Sequence, residues 1–199
     1  RDLITVYDDM GILSLDEKGT VKTSGTEIGA FVRLDDLDAG YSFKELDRSV
    51  FMNPDKVNAR IVIPITEYKD VVAKHDIDMF LYANNYEEKG DSLSFFENVD
   101  DALKVFRAGN RMAKGTTTEY GLVGSYFANP FGPVQRQDQC EPLLQDYFQR
   151  MFDQGVKVGQ LRTRLGIKGN EHNGPKEAAA EILKYITGEK ELKTLEDDE

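Results

Sequence analysis

An α+β fold is what the apolar pattern of this 199-residue chain predicts: an antiparallel or mixed sheet from the N-terminal half packed against helices from the C-terminal half. Three observations carry that expectation. Residues 1–97 are short β-branched and aromatic runs broken by turn residues. Residues 98–188 place apolar side chains at helical spacing, and residues 189–199 form an acidic tail without an apolar face, expected to fray. Charge divides along similar lines: residues 1–100 hold 21 acids against 11 bases, 101–176 hold 7 against 11, and 177–199 hold 8 against 3.

The front elements follow in order. Leu3–Tyr7 is apolar and β-branched, Asp8-Asp9-Met10-Gly11 is a turn signal, and Ile12–Leu15 resumes the pattern. Asp16-Glu17-Lys18-Gly19 is a second turn before Thr20–Thr23, so these pieces read as a meander. Ile28–Leu34, Asn58–Ile65 and Met79–Ala83 are further strands, with Pro64 near a strand end where a missing N–H matters least. Thr66–Lys74 suits a short helix, with Thr66 as its cap.

The back elements are helical by their spacing. Asn98 is placed to cap a helix over Val99–Lys114. From Glu141 to Gln154, Leu143, Leu144, Tyr147, Phe148, Met151 and Phe152 make one wide apolar stripe, with Pro142 in the first turn and Gly155 as the stop. Val158, Leu161 and Leu165 suggest a short helix ending at Gly166. Asn173-Gly174-Pro175 opens a last helix with Ala179, Ile182, Leu183 and Ile186 on one face, closed by Gly188. The Gly115–Pro133 stretch reads as a long loop, partly strand over Tyr120–Phe127.

Composition excludes some functional classes. Hydrophobic residues at 40% and charged residues at 31% fit a globular chain that can bury a core without disulfides, metals or cofactors. The one cysteine, Cys140, rules out an intrachain disulfide, which points to a cytoplasmic or particle-associated protein rather than a stapled secreted one. No apolar run approaches membrane-spanning length, and the first residues lack the apolar core of a signal peptide. The chain opens on Arg1 rather than Met, which fits a start further upstream or a cleaved leader. A net charge of -11 argues against wrapping nucleic acid over the whole surface.

Motifs that carry chemistry are sparse. Gly90-Asp91-Ser92-Leu93-Ser94 resembles the opening block of the GDSL hydrolases. The residues before it, Tyr86-Glu87-Glu88-Lys89, are polar where that family has a buried strand, and Gly169 stands where an acid should precede His172. Cys140 at a helix start, with His75 or His172 as base, is a candidate nucleophile. Asp36, Asp38, Gly40 and Glu45 miss the spacing of a calcium loop, and His75-Asp76-Ile77-Asp78 reads as a solvated turn before it reads as a metal site.

Two surface features remain. Lys104, Arg107, Arg111 and Lys114, at i, i+3, i+7 and i+10, would fall within about 80° on a continuous helix, one basic stripe. Such a stripe is a solvated face, a dock for an acidic surface, or a phosphate contact. Tyr120, Tyr126, Phe127 and Phe131 either fold back over the core or form an aromatic interface patch. These features favour a non-enzymatic binding or assembly protein, such as a structural component of a viral particle, with a protein partner or self-association and no membrane. The alternatives are a hydrolase using Cys140 or His75, and a nucleic-acid-associated factor using the basic stripe.

Overall fold

The computed structural model of the chain describes residues 4–33, 60–113, 119–129 and 132–188. Its fold is α+β, as the apolar pattern predicts. The residues group into two compact units, Arg1–Ile77 and Asp78–Glu199.

In the first unit, β1 (Gly11–Leu15) and β2 (Val21–Gly25) form an antiparallel hairpin with Leu15 opposite Val21. Asp16 makes its turn: one carboxylate oxygen accepts the backbone N–H groups of Lys18 at 2.9 Å and Thr20 at 2.8 Å. The strand expected over Leu3–Tyr7 does not form in its described part. Instead the Tyr7 hydroxyl meets Thr23 Oγ1 at 2.5 Å, and its ring lies against Gly11 and Gly25, where a side chain would collide. β3 (Gly29–Arg33) pairs antiparallel with β4 (Arg60–Pro64), and Pro64 takes the last strand position. α1 (Tyr68–Val72) buries Val71, and His75 then bridges to Thr23 through two backbone hydrogen bonds.

The second unit is built on a mixed sheet of β5 (Met79–Asn84), β6 (Leu93–Phe95) and β9 (Lys157–Arg162), in the order β5-β9-β6. β9 runs parallel to β5 and antiparallel to β6. The short helix expected from Val158, Leu161 and Leu165 is therefore replaced by the central strand. Its helix-like spacing is accidental, because Val158, Gly159 and Gln160 are consecutively buried between two neighbours. Gly159 makes this possible: a Cβ there would lie 2.2 Å from the Ser94 carbonyl oxygen of β6.

One face of the sheet carries α2 (Val99–Ala108) and α4 (Gln137–Asp153). β7 (Asn110–Ala113) and β8 (Gly121–Gly124) form a separate antiparallel pair. A 3-10 turn over Tyr126–Ala128 and α3 (Gly132–Gln135) lead into α4. The core is aromatic: Phe148 meets Phe106 at 4.9 Å and Phe80 at 5.8 Å, both edge-on, while Phe80 stacks on Phe106 at 5.3 Å. Leu103, Leu144, Met151 and Val158 close around them. α4 begins four residues before the expected Glu141, so Pro142 stands inside it. Its buried stripe is Leu144, Phe148 and Met151, while Leu143 is exposed. α5 (Asn173–Thr187) packs on β6 and β9, with Tyr185 against Phe95 at 5.0 Å. Its buried residues are Gly174 and Ala178; of the expected face, Ile182 is half-buried while Ala179, Leu183 and Ile186 are exposed.

Candidate functional site

Helix α2 sets the geometry of the site. Asn98 caps it as expected, its side-chain oxygen accepting the Asp101 N–H at 2.9 Å. The helix stops at Ala108, six residues before the expected Lys114, because Gly109 takes a left-handed conformation (φ 53) and its N–H bonds the Val105 carbonyl. The 125–128 backbone crosses there so closely that a Cβ on Gly109 would lie 1.8 Å from the Ser125 carbonyl oxygen. Lys104 and Arg107 thus sit on α2, Arg111 sits on β7, and Lys114 lies outside the described residues. Lys104, Arg107 and Arg111 therefore do not form a single helical stripe.

The arginines are also engaged. Arg107 pairs with Glu141 and contacts Gln145 at 3.3 Å. Arg111 pairs with Glu119 at 2.7 Å, Arg162 with Glu87 at 2.8 Å, and Arg164 with Glu177 at 3.4 Å. Four arginines of residues 101–176 are thus paired within the chain, two of them with acids from outside that stretch. Glu141 also accepts the Tyr126 hydroxyl at 2.6 Å, and the hydrogen bonds from Arg107 and then Tyr126 hold its carboxyl below the usual range. Burial, reinforced by that bond to Glu141, pushes the Tyr126 hydroxyl up.

The aromatic set divides. Tyr126 is buried, and Phe127 packs on Phe106 at 6.1 Å and Phe148 at 6.5 Å, so both belong to the core. Phe127 and Ala128 adopt positive φ of 55 and 51, a strain the surrounding packing holds in place. Tyr120 is exposed, and Phe131 lies outside the described residues.

An open cleft of about 530 Å³ lies beside α2. Asp101, Lys104, Val105 and Ala108, at i, i+3, i+4 and i+7, line it from the helix, opposite in role to the buried Ala102, Leu103 and Phe106. Phe95, Phe96 and Glu97 line it from the end of β6, with Tyr86 and Asn110 completing the wall. A second cleft of about 470 Å³ shares Glu97 and adds Asp100, Gln149 and Phe152. Among the described residues the Glu97, Asp100 and Lys104 side chains form no ion pair.

The other candidates have structural occupations. Burial raises the Cys140 thiol pKa, so the helix start does not activate it. His75 belongs to the first unit, its Nε2 2.7 Å from the Asp70 carbonyl oxygen, and His172 is exposed just before α5. Ser92 and Ser94 accept hydrogen bonds from Arg164 and Arg162 at 3.0 Å each, so the GDSL-like block is the entry into β6, fastened to β9 and the residues that follow it. Among the described residues no group of three or more His, Cys, Asp or Glu is placed to hold a metal ion. The stretch with Asp36, Asp38, Gly40 and Glu45 lies outside them. No helix of the described residues is long and apolar enough to cross a membrane, and Cys140 is free.

Sequence reasoning missed the polar framework at the end of β5. Asn84 is fully buried: its amide donates to Gln160 at 3.1 Å, and its oxygen accepts the N–H groups of Tyr86 and Glu87. Asn85 bonds both the N–H and the carbonyl of Met112, standing in for a strand beside β7. The Asn-Asn pair directly after an apolar strand was the available signal. No protein-family model, no curated protein and no solved structure matches the chain.

Proposed function

We propose that the chain is a non-enzymatic binding or assembly protein whose docking surface is the cleft beside α2. One observation carries this reading: among the described residues, the helix face of Lys104, Val105 and Ala108 lines an open cleft together with Phe96. Aromatic side chains held at an open cleft next to charges without partners are the composition of a recognition surface. The two arginines first expected to dock an acidic surface are paired with Glu141 and Glu119, which weakens the nucleic-acid alternative at two of its four residues. The raised Cys140 pKa counts against a thiol hydrolase. A structural component of a viral particle or similar assembly is the setting we favour, because a cleft meeting a different patch on the next copy gives rings or filaments.

Sedimentation velocity at low and high salt tests the assembly reading, with Lys104→Glu as the cleft variant. Salt-weakened association that shifts with the variant is expected. A monomer under both conditions would sink it.

A further inference from the structure

The cleft's lining also indicates the chemistry of its occupant. Glu97 and Asp101 face one Lys104, and the adjoining cleft that shares Glu97 adds Asp100, so carboxylates outnumber cations three to one. Arg107 and Arg162, on neighbouring elements, are tied to Glu141 and Glu87 and do not neutralise these acids. Tyr86 and Phe96 add aromatic rings, the side-chain type that attracts cations, whereas the Phe95 ring packs on Tyr185. Val105 and Ala108 give the aliphatic stem of a long side chain an apolar wall.

We propose that the cleft binds a cationic, apolar peptide segment of a protein partner, with a Lys or Arg side chain entering among the aromatic residues and Glu97, Asp100 and Asp101 supplying the countercharge. This rests on the binding reading above and narrows it to a partner class. The stem packs while the charged head meets the carboxylates, so both parts of the side chain are recognised.

The test is fluorescence anisotropy with a labelled peptide of alternating Lys and Leu, and with its twin carrying Glu in place of Lys, titrated with the full chain. Glu97→Gln with Asp100→Asn removes two carboxylates that have no described partner, and should weaken the Lys probe about tenfold. Asp8→Asn with Asp138→Asn removes the same charge elsewhere and should change affinity by less than about twofold. Circular dichroism confirms that both doubles fold as the parent does. Equal losses in the two doubles, tighter binding of the Glu twin, or no saturable binding would each overturn the assignment. Sedimentation of the same samples separates the two claims: probe failure with salt-dependent assembly intact refutes the cationic partner alone, whereas a monomer at every salt concentration refutes the reading beneath it.

Discussion

Phe148→Ala probes the packing that holds the second unit together. The side chain is 0% exposed and touches Phe80, Phe106 and Phe127, so truncation removes a full ring and leaves a void among three others. Phe-to-Ala changes at such sites cost about 3–5 kcal/mol, the transfer of the ring plus the cavity left behind. Two close edge-on pairs, at 4.9 and 5.8 Å, place this site in the upper half, at about 4–5 kcal/mol. That is a large share of the ~5–15 kcal/mol by which a domain is stable. Urea melts followed by circular dichroism should show a lower midpoint at unchanged slope. Leu143→Ala, on the same helix but 57% exposed, is the control and should cost less than about 0.5 kcal/mol. A Phe148→Ala loss under about 1 kcal/mol, or one matched by the control, would show that the stripe does not face the core.

Gly109→Ala forces a Cβ to 1.8 Å from Ser125 O and 2.4 Å from Ala128 N at positive φ, and should destabilise by at least ~2 kcal/mol in a thermal melt. Glu141 has a depressed folded pKa, so its stabilisation is present above its unfolded value near 4.5 and fades as pH falls through the folded value. Glu141→Gln should therefore be less stable than the parent at neutral pH, with the gap closing below about pH 4 in urea melts. A gap that persists unchanged into acid would show that the carboxylate is not what Arg107 and Tyr126 hold. Cys140 should alkylate no faster than a free thiol at pH 7, since burial raises its pKa; faster reaction would restore it as a nucleophile candidate.

What was legible in the sequence was whatever depends on neighbours along the chain. The Asp16 turn, the Asn98 cap, the Pro64 strand end and the Gly188 stop are local devices, and each stands where the residues put it. What depends on distant partners was not legible. β9 carries helix-like spacing because a strand buried on both sides need not alternate, and only its pairing with Met79–Asn84 decides its form. The basic stripe failed at Gly109, whose conformation is set by backbone 16 residues further on. Pro142 read as a helix start because prolines favour the first turn, but a first turn anchored by the Arg136 carbonyl already precedes it. The charges of 101–176 looked available because their acceptors are set by the fold: Glu119 and Glu141 lie within that window but far along the chain or on another element, and Glu87 and Glu177 lie outside it.

The order β5-β9-β6 also has a consequence for how the second unit is made. Its central strand is the last of the three to leave the ribosome, more than 60 residues after β6. Until Arg162 has emerged, β5 and β6 are both present without the strand that joins them. Their pairing groups stay unmatched through the synthesis of α2 and α4, and closing the sheet then spans a long loop, a slow step. The nascent chain is thus most exposed to misassociation in the interval before β9 arrives.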